Sequence, residues 1–126
     1  MYSTFATVEK ELLSTIDGDV WFDVAKRTEY STATCMYKVM PIGVVAPKGI
    51  EDVQRVVRLC ADNGIAVIAR GGASGLVGQA GGFGIILDFT KHMNHVVTIS
   101  EETSSVTVEA GCILNDVDNL LRPMGK

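Results

Sequence analysis

Cysteine is scarce in this chain and poorly placed for its usual work. The three thiols, at 35, 60 and 112, are odd in number and far apart, with no CxxC pair. Neither a disulfide framework nor a zinc or iron–sulfur site is expected, and a reducing, cytoplasmic setting fits. Long apolar runs are missing as well: nothing approaches the roughly 18 consecutive residues of a membrane span. The opening MYSTFATVEKELL carries acidic residues and no apolar centre, so it does not read as a signal peptide. Basic clusters are absent too. The eleven Lys and Arg form no run longer than a pair, and net charge is −4. Nucleic acid and anionic membrane surfaces both attract concentrated positive charge, so neither is an expected partner.

What is present is enough for one domain with a modest core: 126 residues, 47% apolar and 21% charged. Phe5, Val8, Leu12 and Ile16 recur at helical spacing, predicting an amphipathic N-terminal helix that ends near Gly18. Residues 19–42 read as an irregular lead-in, with Trp21, Phe22, Tyr30 and Tyr37 as anchors onto the core. GVVAP at 43–47 reads as a short buried strand. The helix that follows places Val53, Val56, Val57 and Cys60 inward, with Glu51 and Asp52 in its first turn and Gly64 beyond its end. AVIA at 66–69 then completes a strand–helix–strand unit with parallel strands.

GIILDF at 84–89 is apolar at successive positions, as a strand covered on both faces would be. VVTI at 96–99 and SVTVEAG at 105–111 flank SEETS and predict an antiparallel hairpin. Ile113, Val117, Leu120 and Leu121 mark a last helix, which must stop before Pro123. The fold class is α/β with α+β character.

Six of the thirteen glycines fall in RGGASGLVGQAGG, residues 70–82, directly behind the AVIA strand. Each glycine costs backbone entropy on ordering, so such a loop serves to admit something close to the backbone. A P-loop is excluded because no Lys follows these glycines. A Rossmann fingerprint is excluded because Gly82-Phe83-Gly84 leads into a strand and lacks a third glycine. Two readings stay open on composition: a nest of N–H groups around an anion, or a flexible surface connection. Elsewhere no nucleophile–base constellation is visible. Asp88 and Asn94 read as turn residues, and His92 and His95 as surface loop histidines.

The order of three blocks resembles the FAD-linked oxidase family, whose flavin domain is of the vanillyl-alcohol oxidase and p-cresol methylhydroxylase (PCMH) type. They are PIGVVAPKGIEDVQRVV, RGGASGLVGQA, and IILDFTKHMN followed by VTVEAG. The upstream RTEYSTATCMY is similar to the lead-in of the D-lactate and glycolate dehydrogenase branch, with Ala33 and Cys35 in place of its Asp and Ser. The resemblance implies residues 1–40 as lead-in and 41–126 as the first half of a PCMH-type FAD-binding domain. It implies that Gly71, Gly72, Ala73, Ser74 and Gly75 bind the FAD pyrophosphate and that Gly78, Gln79 and Ala80 close a second bend beside the flavin. Pro47 would border the adenine end. Arg70 would either touch the cofactor or pair with a carboxylate. Ala73 stands where the family has a third glycine, so its backbone is expected in a conformation an L-residue tolerates. Ser74 stands where some members carry a flavin-linking His, so FAD is expected to be non-covalent at this loop.

The implied activity is oxidation of a D-2-hydroxy acid by hydride transfer to flavin. The chain ends at LLRPMGK where the family continues, which implies a missing C-terminal half or a companion chain carrying the substrate site. Alone, the chain is expected to be inactive, without FAD, and prone to self-association. Two other readings remain: a flavoprotein like the enolpyruvyl-UDP-sugar reductase, and a non-catalytic nucleotide- or anion-binding module.

Overall fold

Three short apolar runs build the centre of a sheet in the computed structural model, which describes residues 2–125. They are β2 (Gly43–Ala46), β3 (Val67–Arg70) and β4 (Ile85–Asp88), all parallel. The strand–helix–strand unit exists, but β2 and β3 are not neighbours. β4 lies between them, pairing Val44 with Ile86 on one side and Ile68 with Ile86 on the other. Burial explains the order. Every residue of β4 is buried, whereas β3 is only half-buried, and the strand that is apolar on both faces takes the position covered on both.

An edge strand, β1 (Asp19–Trp21), pairs antiparallel with β2, and a short helix, α2 (Val24–Glu29), follows it. Both lie in the segment read as irregular, which is thereby corrected. β1 has three residues, too few to show an alternation. α2 had a legible start, since Asp23 accepts from the N–H of Lys26 at 2.9 Å as an N-cap.

Alternation along the strands divides the core. Val45, Ile85 and Leu87 face one way and meet Val8, Leu12 and Ile16 of α1 (Tyr2–Thr15) and Val56 and Cys60 of α3 (Ile50–Asp62). Val44 and Ile86 face the other way, where Tyr30, Trp21 and Ile68 cover them. Phe22 joins the larger cluster. Tyr37 does not anchor the core: it is 58% exposed and lies against the glycine loop. Val57 leaves the expected inner face of α3 and is 45% exposed at its rim. Cys60 is fully enclosed, and burial pushes its thiol up to about 11, so it packs as an apolar residue.

The buried carboxylate of Asp52 gives the E-D-V block its purpose. It accepts from the N–H of Lys48 and of Asp17, each at 3.0 Å, tying the start of α3 to the turn after α1. The hairpin forms as read, with β5 (Val96–Ser100) and β6 (Ser105–Val108) as a separate two-stranded sheet bulged between Val96 and Thr98. Gly111 pins its base to the end of β4: its N–H donates to Met93 O at 2.8 Å, and a Cβ there would lie 2.1 Å from Phe89 O. The last helix, α4 (Leu114–Leu121), stops before Pro123 and passes into a single 3₁₀ turn.

Candidate functional site

The glycine loop leaves the carboxyl end of β3 and returns to the start of β4, so its first residues sit where the parallel strands end. In open α/β sheets that edge is the usual place for ligands. Among the described residues, no N–H group of Gly71, Gly72, Ala73, Ser74 or Gly75 donates to another part of the chain. Five successive amides without an internal acceptor are unusual, because most backbone N–H groups in a folded chain are paired. Gly72 and Ser74 are exposed; Gly71, Ala73 and Gly75 are half-buried.

Ala73 is left-handed at φ 55, while its neighbours Gly72 and Ser74 are not. A change of hand of this kind is how successive N–H groups come to face one anion. The expectation of an easy conformation at Ala73 is thus corrected. An L-residue here carries a cost of about 1–2 kcal/mol that glycine would avoid. The Ala73 carbonyl accepts from Thr34 N–H at 3.1 Å, which holds the turn against the lead-in.

Two glycines of the loop are constrained differently: Gly78 by its backbone hand, Gly75 by a movable side chain. Gly78 has φ 86, and a Cβ there would press the Tyr37 ring at 3.0 Å. At Gly75 the carboxamide of Gln79 occupies the place of a Cβ, and its Oε1 accepts from Val77 N–H at 3.3 Å. A Cβ on Gly72 would meet nothing within 4 Å. The space beside Gly72 is therefore open, as close approach of phosphate oxygens to the amides demands, while at Gly71 a Cβ would lie 3.6 Å from Ala110 O.

Of the two readings offered for Arg70, pairing with a carboxylate is corrected among the described residues. Its guanidinium faces no carboxylate; Nη1 donates to Tyr30 O at 3.2 Å and Ala80 O at 3.4 Å, and Nη2 donates to Thr32 O at 3.0 Å. The same group lies 4.9 Å from the Tyr30 ring. Ala80 is buried, contributing its carbonyl to this clamp. Pro47 is fully buried at the end of β2, packed beneath Gly18, and presents no side-chain surface to a ligand.

Asp88 is a turn residue as read, accepting at Oδ1 from Thr90 N–H at 2.9 Å and from its hydroxyl at 2.6 Å. Its Oδ2 also takes the Tyr30 phenol, a buried bond that no local pattern announces. Each histidine has a carboxylate partner: His92 Nε2 lies 2.7 Å from Asp19 and His95 Nδ1 lies 2.8 Å from Glu109. Glu109 is held below the usual carboxylate range, chiefly by the backbone N–H of His95. These pairs fasten loops. The residues missed around the loop, Tyr30, Thr34 and Tyr37, all belong to the lead-in. Their only signal was the YSTATCMY stretch itself.

Residues 41–126 match the FAD binding domain family. The D-2-hydroxyglutarate dehydrogenase of Escherichia coli (strain K12) is 37% identical over 111 residues, covering 86% of this chain and 11% of that protein. The glycolate oxidase subunit GlcD of Bacillus subtilis (strain 168) is 33% identical over 121 residues, covering 92% of this chain and 26% of that one. The chain thus spans between about a tenth and a quarter of these relatives' length. Among solved structures, p-cresol methylhydroxylase with substrate bound superposes with a TM-score of 0.78 at 19% identity, over 99% of this chain and 26% of that one, which shows a common fold. Among the described residues no helix is long and apolar enough to cross a membrane. An open, unpaired row of amides at a sheet's carboxyl edge and a family match over two-thirds of the chain agree, and this chain belongs to the FAD binding domain family.

Proposed function

We propose that the glycine loop cradles the pyrophosphate of FAD in a protein that oxidises a D-2-hydroxy acid. The observation that carries this is the row of five unpaired amides, 71–75, opening onto free space at Gly72. Amides suit an acidic protein: they hold an anion without needing ammonium groups. Ser74 adds a hydroxyl donor on the exposed side, and Gly78, Gln79 and Ala80 shape the second bend. Pro47, being buried, borders the ligand only through its neighbours. Residues 1–40 serve as lead-in and 41–126 as the first part of the flavin domain. The three unpaired thiols fit a reducing, cytoplasmic setting.

When bound, flavin supplies a two-electron acceptor, so the residues here have only to bind and orient it. The hydroxy-acid class is supported by relatives named as D-2-hydroxyglutarate dehydrogenase, glycolate oxidase subunit and D-lactate dehydrogenase. Full-length protein should purify yellow with FAD and bleach anaerobically with D-2-hydroxyglutarate, D-lactate or glycolate. A colourless protein that retains no FAD would overturn the cofactor assignment. A yellow protein bleached by none of the three would overturn the substrate class.

A further inference from the structure

We infer that Arg70 is a positioning residue, a clamp that joins both feet of the glycine loop and holds its amides in place for the anion. This deepens the reading of the loop as the flavin pyrophosphate site and rests on it. Arg70 is the last residue of β3, and its backbone is fixed there: it pairs with Asp88, and its carbonyl accepts from Phe89 N–H at 3.1 Å. From that fixed foot the side chain reaches Ala80 O, the opposite foot, across nine intervening residues. It also reaches Tyr30 O and Thr32 O in the lead-in. Two residues further on, Thr34 N–H holds the carbonyl of Ala73 in the middle of the turn. One planar group therefore ties the entry, the exit and the strap that supports the left-handed residue.

The chemistry requires arginine. Three carbonyls are met by two nitrogens of a rigid fork whose central carbon lies 4.9 Å from the centre of the Tyr30 ring, and lysine cannot reproduce the fork. Among the described residues no carboxylate forms an ion pair with the guanidinium. The hydrogen bonds to carbonyls, and not charge pairing, hold it. A loop rich in glycine has much entropy to lose on binding, and fixing it beforehand lowers that cost.

The test compares Arg70→Lys and Arg70→Met with the wild-type chain by backbone ¹⁵N relaxation, and titrates the full-length form of each with FAD by fluorescence quenching. In the wild type, amides 71–79 should be ordered nearly as well as the strands, near the rigid value of about 0.85, and fall below about 0.6 in both variants. Order in β2 and β4 should be unchanged, so the loss is confined to the loop. The dissociation constant for FAD should rise at least about tenfold in both. Arg70→Lys behaving as wild type would mean that charge alone suffices and would overturn the proposal. A wild-type loop as mobile as that of the variants would overturn it too. Loop order that responds as expected, with a full-length protein that binds no FAD, would keep the clamp and remove the flavin reading.

Discussion

The phenol of Tyr30 donates to Oδ2 of Asp88, 58 residues further along the chain, and both groups are buried. That single bond fastens the lead-in beneath the end of the central strand. Burial, and then the neighbouring Asp88, push Tyr30 above the usual tyrosine value of 10.0. The folded state thus holds the proton more tightly than the unfolded one. Its contribution to stability is complete below about pH 10 and is lost as pH rises beyond that. Tyr30→Phe should cost about 1–3 kcal/mol near neutrality, since Asp88 loses a donor. Urea midpoints between pH 9 and 11 should fall less steeply in Tyr30→Phe than in wild type, by up to about 1.4 kcal/mol per pH unit. Parallel profiles would count against the bond.

Asp52→Ala strips the acceptor from two N–H groups, those of Asp17 and Lys48, at a buried junction. A loss of about 2–3 kcal/mol is expected, combining a lost helix-start acceptor with an unpaired donor. Chemical denaturation measures it. The cost should be read in flavin-free protein, because both lost bonds lie within the chain itself.

Two glycine substitutions should separate site from scaffold. Gly72→Val places its branches in open space, so it should cost no more than about 1–2 kcal/mol of stability while abolishing flavin binding in the full-length protein. Gly84→Ala sets a Cβ 2.3 Å from the carbonyl oxygen of Ala66, which packing cannot absorb. It should destabilise by more than about 2 kcal/mol whether or not flavin binds. Thermal melts and flavin content of both variants decide. Full flavin retention in Gly72→Val would remove the loop from the site.

Ser74 cannot form the bond through which some family members attach FAD by a loop histidine. Acid precipitation of the full-length protein should therefore leave all flavin in the supernatant. Flavin in the pellet would place an attachment point elsewhere than at Ser74.

The 126-residue chain by itself should bind FAD no more tightly than about micromolar. Association itself costs about 4–15 kcal/mol in lost translational and rotational freedom. Amide–phosphate bonds of roughly 1.5–3 kcal/mol each nearly offset that. Leu76, Val77 and Phe83 are 69%, 79% and 62% exposed around the loop, and the chain is expected to self-associate through such surface. Equilibrium dialysis and sedimentation test the two halves. Nanomolar binding by a strict monomer contradicts both.

Most of the elements and the place of the loop are legible in the amino-acid order. β2, α3, β4 and the hairpin all announce themselves by apolar spacing, because period-2 and period-3.6 burial is a local property of the chain. The crowding of glycines after a strand, with Ser74 among them, marks the loop for the same reason. Strand order is another matter. The crossover from β2 to β3 reads as a unit with parallel strands and says nothing of what lies between them, yet β4 enters there, since the most apolar strand gains most from cover on both faces. Nothing within three residues of β1, or in the exposed ring of Tyr37, foretells their partners. Arg70 shows the division most plainly: its place at a strand end is local, but its acceptors lie 40, 38 and 10 residues away. Those meetings arise only when the sheet, the lead-in and the loop are packed together, because long-range hydrogen bonds depend on where whole elements come to rest.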